Sequence, residues 1–268
     1  MLEKRHSDTC ESAIFLFAHQ DDETGAFQLI SNELRAGLDV HCYYLTSGSL
    51  TGLVSHQRNQ ESLRVLVDLG VKNSNIHFVG SEYSIPDCAL IMRLNFIFDF
   101  ISALIVNSKH PLKLYLPCWE GGHPDHDALH VAGVLAANHH NLLEKTYQTA
   151  LYNGHRCIGP LFRVLLPLKE NGVIYKSKIR LLDRLRYLRY CLSYPSQFKT
   201  WIGLFPFFFF HYMFYGYQTW QPVSLERIYK RQHAGPLYFV KRRFCDEETF
   251  FRAIKVFVDS IQAKKFDQ

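Results

Sequence analysis

No CxxC pair occurs among the seven cysteines (Cys10, Cys42, Cys88, Cys118, Cys157, Cys191 and Cys245), which are odd in number and widely spaced. The sequence offers no disulfide framework, and a reduced chain is the simple reading. Charge of one sign is also scarce. The 30 Lys and Arg against 25 Asp and Glu leave +5, an excess too small and dispersed to argue for nucleic acid. An anionic substrate or a membrane surface stays open. Residues 1–12 carry Glu3, Asp8 and Glu11 and lack an apolar run before a small-residue cleavage site. No secretory signal is read there, and a cytoplasmic location is expected, with the membrane periphery as its other option. The most apolar stretch, 201–217 (WIGLFPFFFFHYMFYGY), is interrupted by Gly203, Pro206 and Gly216, which makes it short and broken for a membrane span. Repeats and low-complexity linkers are absent. An apolar share of 47% with 21% charged residues excludes a disordered or collagen-like chain. At 268 residues, one domain over 1–268 with an elaborated end is expected.

What is present is an alternation of strand and helix patterns. Residues 13–18 (AIFLFA) form a continuous apolar run that suits a strand buried on both faces of a parallel sheet. A helix over 24–35 follows, with Phe27, Ile30 and Leu34 on one side and Gly37 as its stop. The same logic predicts strands at 40–45, 76–79, 113–116 and 149–153 and helices at 55–69, 89–106 and 127–137. The fold class expected for about 13–153 is therefore α/β, an open, mostly parallel sheet with helices on both faces. A mixed C-terminal elaboration over about 154–268 departs from that rhythm. It holds an edge strand at 158–168, a helix at 176–192 with Leu181, Leu185, Leu188 and Leu192 on one face, and a final helix capped by Asp246. Lys176, Arg180, Arg184, Arg186 and Arg189 on the 176–192 helix read either as a solvated basic face or as a surface for anions or lipid headgroups.

Ligands of an open parallel sheet bind where strands end, so the loops after strands matter most. The loop after the first strand reads His19-Gln20-Asp21-Asp22-Glu23, and the loop after the fourth reads Trp119-Glu120-Gly121-Gly122-His123-Pro124-Asp125-His126. Imidazole with carboxylate suits a divalent transition metal, most readily zinc, which in catalytic sites takes three protein ligands and leaves a position for water. His19, Asp22 and a distant His, supplied as His126, would make that set. Adjacent side chains in a turn point apart, so one of Asp21 and Asp22 holds metal while the other faces the water. A water acidified in this way, with a carboxylate to take its proton, gives metal-assisted hydrolysis of a carbonyl compound. His123 would stabilise the oxyanion or protonate the leaving amine. Each motif alone is weak, since Asp and His are common in loops and caps. The pairing of the two at strand ends carries the argument.

The stretch Ala18-His19-Gln20-Asp21-Asp22-Glu23 resembles the AHPDDE signature of the PIG-L/LmbE-like deacetylases, and His123-Pro124-Asp125-His126 matches their HPDH signature. Thr46-Ser47-Gly48, Arg58, Glu61 and Leu69-Gly70 agree with the family's pattern after its second strand. The resemblance covers about residues 13–140. It implies a zinc-dependent N-deacetylase of an N-acetylglucosaminyl compound on a Rossmann-like sheet, with iron(II) as another metal the site would accept. By matching position, His19, Asp22 and His126 are implied as metal ligands and Asp21 as general base. His123 would stabilise the tetrahedral intermediate, Asp125 would orient it, Arg58 would contact substrate, and Glu23 would brace the loop. Gln20 departs from the family's proline, which puts the rigidity of that turn in question.

Other uses of these residues stay in view. One is an amidase that removes a larger acyl group from an aminosugar conjugate; another is a non-catalytic metal- or sugar-binding module, although Asp21 and His123 are both retained. A nucleotide-dependent oxidoreductase is disfavoured because HQDDETG stands where GxGxxG would be. Cys118 reads as a buried neighbour of the site rather than a nucleophile. His110, His139, His140, His155 and His211 have no assigned role. The expected partner is a small-molecule aminosugar. For 201–217, core packing, self-association and peripheral membrane contact are the three uses considered.

Overall fold

The computed structural model describes residues 11–108, 110–159 and 161–266; Cys10 and most of the 1–12 segment lie outside them. The strands are β1 (Ser12–Phe17), β2 (Asp39–Tyr44), β3 (Ile76–His77), β4 (Leu112–Pro117), β5 (Thr146–Thr149), β6 (Tyr152–Asn153), β7 (Arg163–Val164), β8 (Tyr175–Lys178) and β9 (Tyr217–Pro222). The helices are α1 (Phe27–Arg35), α2 (Ser55–Leu69), α3 (Val79–Glu82), α4 (Leu94–Asn107), α5 (Pro124–His139), α6 (Leu181–Cys191), α7 (Phe198–Phe210), α8 (Tyr238–Lys241) and α9 (Glu247–Phe266).

Seven strands form one sheet in the order β3-β2-β1-β4-β5-β9-β8, parallel through β5 and closed by the antiparallel pair β9 and β8. Strand β1 lies at its centre, and its unbroken apolar run supplies both faces. Ile14, Leu16 and Ala18 pack with α4, α5 and α9, while Ala13, Phe15 and Phe17 pack with α1, α2, α6 and α7. This is the expected α/β architecture. The strand order reverses at β1, with β2 and β3 added on one side and β4 and β5 on the other, which opens a crevice at the strand ends where the β1 loop meets that of β4.

Several sequence expectations are corrected. The helix expected from 89 begins at Leu94, because the Cys88 and Leu90 amides donate instead to the Asp125 carboxylate (2.7 and 3.0 Å). The strand expected over 149–153 splits into β5, which joins the main sheet, and β6, which pairs with β7. Among the described residues of 158–168 only Arg163–Val164 is strand, and Ile158 and Leu161 are exposed. The helix expected from 176 starts at Leu181, since 175–178 pair with β9 and Tyr175 stacks on Trp220 at 4.4 Å. On α6 the buried side is Tyr187, Leu188, Tyr190 and Cys191, so Leu181, Leu185 and Leu192 face outward rather than into the core. Strand β9 itself was not legible beneath the aromatic run that precedes it. The final helix does begin as expected, with the Thr249 amide donating to Asp246 Oδ1 at 2.8 Å.

Candidate functional site

The β1 loop turns at once into a short 3₁₀ segment, Asp22–Gly25, whose entry residue Asp21 adopts φ 100°. A non-glycine residue there is strained and needs fixing from outside. The Asp21 amide donates to Glu23 Oε2 (2.9 Å), and Thr24 Oγ1 donates to the Asp21 carbonyl (2.8 Å). Gln20, in the family's proline position, is buried and donates to Asn59 Oδ1 (2.6 Å) and to the Thr46 carbonyl (3.3 Å). An amide tether thus holds the turn where a ring would have stiffened it.

The β4 loop ends in α5, with His123 at the cap, Pro124 in the first helical position and Asp125 and Asp127 in the first turn, where acids suit the helix dipole. The Asp125 amide donates to His123 Nδ1 at 3.3 Å. A neutral ring so held carries its proton on Nε2. Burial, and then the neighbouring His19, push the His123 pKa well below its ordinary value.

Across the crevice, His19 Nδ1 lies 3.3 Å from His126 Nε2 and 3.5 Å from Asp22 Oδ2, and Asp22 Oδ1 lies 3.0 Å from His126 Nε2. Ligand atoms at the corners of a tetrahedron with bonds of about 2.0–2.1 Å are separated by roughly 3.3 Å. All three residues are buried, and two ring nitrogens facing one another beside a carboxylate are the donor set of a transition-metal site. The other nitrogen of His19, Nε2, lies 3.0 Å from both Asp125 Oδ2 and Asp87 Oδ1. A carboxylate that receives the far N–H of a ligating imidazole fixes its tautomer and raises its basicity. Burial alone would lower the His19 pKa, but Asp87, Asp22 and Asp125 hold it well above the ordinary value. Burial alone would raise Asp22, yet His126 and His19 hold it well below the carboxylate range.

Two sequence assignments are placed differently by the structure. The Asp125 carboxylate faces His19 at 3.0 Å and stands 3.9 Å from His123 Nδ1, so its link to His123 is the backbone amide. Arg58, at the start of α2, turns its guanidinium onto the loops: Nη2 donates to Asp21 Oδ1 (3.1 Å) and to the Gln20 carbonyl, and Nη1 to the Gly48 carbonyl. Its Nε has no hydrogen-bond partner among the described residues. Burial pushes the Asp21 carboxyl up to about 7 against the pull of Arg58. Glu23 accepts from the Tyr194 hydroxyl (2.8 Å) and from the Asp21 amide, which is a bracing role. Asp87 was not singled out in the sequence; its signal was a carboxylate after Pro86 in the loop beyond the third strand. Cys118 is buried away from the crevice beside Gln148 and Asn171, and burial pushes its thiol well up. His110, His139, His140, His155 and His211 join neither His–Asp group.

These groups open into a cavity of about 340 Å³, floored by His19, Asp21, Asp22, Asp87 and His123 and walled by Leu151, Tyr152, Trp201, Leu204, Phe208 and Phe244. Polar atoms converge at one end of an apolar cleft, the common layout of a small-molecule site.

Residues 14–137 match the family model described as PIG-L, GlcNAc-PI de-N-acetylase. The matched stretch contains both signatures, Arg58 and Asp87, and ends within α5. Similar solved structures include a triple mutant of a deacetylase from the teicoplanin biosynthetic pathway (18% identity, TM-score 0.60, covering 80% of this chain and 98% of that one). Others are the A40926 pseudoaglycone deacetylase (17%, 0.58, 84% and 99%) and the N,N'-diacetylchitobiose deacetylase of Pyrococcus horikoshii (18%, 0.56, 90% and 92%). At that identity the likeness shows the fold alone, and it extends past the residues that the family model matches. Among curated protein sequences, none matches the chain.

Proposed function

We propose that the chain is a divalent-metal-dependent deacetylase that hydrolyses the N-acetyl amide of an N-acetylglucosaminyl compound. The observation that carries this reading is the convergence of His19, Asp22 and His126, the first two of which line the cavity together with Asp21 and His123. Those three residues would hold the ion; zinc suits two imidazoles and a carboxylate, and iron(II) accepts the same donors. When bound, the ion supplies Lewis-acid chemistry, polarising the amide carbonyl and acidifying water. Asp21, anchored by Arg58 and with its pKa near neutrality, takes a proton from the attacking water as general base. His123 points its Nε2–H into the cavity and donates to the oxygen that becomes negative as the carbonyl is attacked. Asp125 and Asp87 keep His19 in the tautomer that leaves Nδ1 free of a proton. Arg58, which also lines the cavity, would contact substrate through its side chain while holding Asp21.

Three similar structures are deacetylases, one of them of an A40926 pseudoaglycone and one of N,N'-diacetylchitobiose. The region beyond residue 153 supplies most of the apolar wall and is the part that would set substrate choice. That wall favours a second reading, removal of a longer acyl group from the same kind of conjugate. Incubating the metal-loaded chain with N-acetylglucosaminyl compounds and their N-acyl homologues separates the two. Acetate release faster than release of longer acids supports the first reading, the reverse order supports the second, and neither acid from any compound contradicts both.

A further inference from the structure

Helix α7 has two apolar faces. Its inward side chains Trp201, Leu204 and Phe208 line the cavity, while Phe198, Ile202, Phe209 and Phe210 face outward, with Ile202 61% exposed. The following turn adds Phe214, 74% exposed, which stacks on Phe210 at 5.8 Å. Helix α6 packs beside it, with Tyr187 5.9 Å from Tyr212 and Arg184 Nη1 donating to the Met213 carbonyl, and turns Leu181, Leu182, Leu185 and Leu192 outward. Contiguous exposed apolar surface of this kind marks an interaction site. Charge then distinguishes the partner. Residues 175–217 hold seven Lys and Arg and one acid, Asp183, a net +6 in a chain whose total is +5. Asp183 is itself engaged by Arg35 at 3.2 Å and Arg186 by Asp68 at 3.5 Å, so the excess stays basic.

We propose that the outer face of the α6–α7 hairpin docks on an anionic lipid bilayer. A second copy of the chain fits poorly, because a two-fold interface would set one basic segment against another. Leucine, phenylalanine and isoleucine interleaved with arginine and lysine are the composition of a helix that lies in the headgroup boundary. Thirteen residues of α7 span only about 20 Å, short of the roughly 30 Å hydrocarbon core, and no helix among the described residues is long and apolar enough to cross it. Docking by the outer face would bring the cavity on the inner face of the same helix to the membrane surface. That last consequence, access to membrane-held aminosugars, rests on the deacetylase reading; the docking itself does not.

The test is co-sedimentation of the full chain with vesicles of phosphatidylcholine alone and of phosphatidylcholine with phosphatidylglycerol. Binding to the anionic vesicles that weakens as salt rises is expected. Ile202→Ser with Phe210→Ser should weaken it roughly tenfold or more, and Arg180→Glu with Lys199→Glu should do the same. Unchanged thermal melting and unchanged turnover of a soluble substrate would show that each variant is folded. Failure to bind anionic vesicles at low salt, or binding that neither variant weakens, would overturn the proposal. So would a concentration-dependent dimer dissolved by Phe210→Ser. None of these readouts needs turnover, so a failed deacetylase assay leaves the docking result standing.

Discussion

The two regions of the molecule build opposite kinds of surface. Residues 13–140 bring charge into the interior: His19, Asp22, Glu23, Glu61, Glu120, Asp125, His126 and Asp127 are all buried. Residues 151–266 bring aromatic rings to the same crevice and leave others exposed outside it. Lys113 and Tyr115 of the first region receive its buried Glu33, but four other buried carboxylates draw donors from the second. Tyr194 donates to Glu23, Ser196 to Glu61, Asn153 to Glu120 (3.0 Å) and Gln232 to Asp127 (2.8 Å). Buried carboxylates without such donors would be costly. The second region is therefore a wall and also the source of hydrogen bonds that let so much charge sit beneath the site.

Substitutions sharpen that division of labour. The largest effect belongs to the first region: Asp21→Asn should lower kcat by about 10²–10⁴-fold while the chain keeps its metal, whereas His126→Ala should lose both. Elemental analysis beside steady-state kinetics separates the two outcomes, and equal metal loss in both variants would break the assignment. Gly48→Ala comes next. At φ +64° its added Cβ would lie 2.0 Å from Gln20 Oε1 and 2.9 Å from Arg58 Nε, so urea unfolding should show a loss of about 2 kcal/mol or more.

Tyr194→Phe carries the comparison across the boundary. It removes a donor to buried Glu23 from a residue that touches none of the converging groups, and should cost about 1–3 kcal/mol of stability. No change in the unfolding midpoint would mean that the second region does not support the first. Glu120 gives the pH-dependent case. Burial raises its carboxyl from 4.5 to about 8, outweighing the Leu151, Asn153 and Tyr152 donors. The fold thus favours the protonated form, and its contribution to stability is complete below about 4.5 and lost as pH rises through about 8. Glu120→Gln should flatten the decline across that window in thermal melts taken at several pH values. The smallest effect is expected at Phe210→Ser, within about 0.5 kcal/mol and with unaltered turnover of soluble substrate; a larger loss would place that face in the core.

The first region was largely legible because its signals are local. An apolar run buried on both faces, a turn of polar residues directly after it and the HPDH sequence at a helix start are each contained within a few residues. Parallel pairing of β1 with β4 then brings the two motifs together. Asp87 escaped notice because its loop carries no motif and reaches His19 only through the fold. The second region misled for a physical reason. Its leucine period on α6 is genuine, but tyrosines with hydrogen-bond partners inside take the buried side, such as Tyr187 with Ser31 (3.0 Å) and Gln28 (3.1 Å). Periodicity reveals an apolar face without revealing what covers it.

The most direct test of the central claim is acetate release from N-acetylglucosaminyl compounds by the zinc-loaded full chain, with Asp21→Asn measured in parallel. Acetate and free amine formed in equal amounts by the parent chain, and at least a hundredfold more slowly by the variant, is the expected result. Equal rates in the two chains, or no acetate from any compound while the metal is bound, would contradict it.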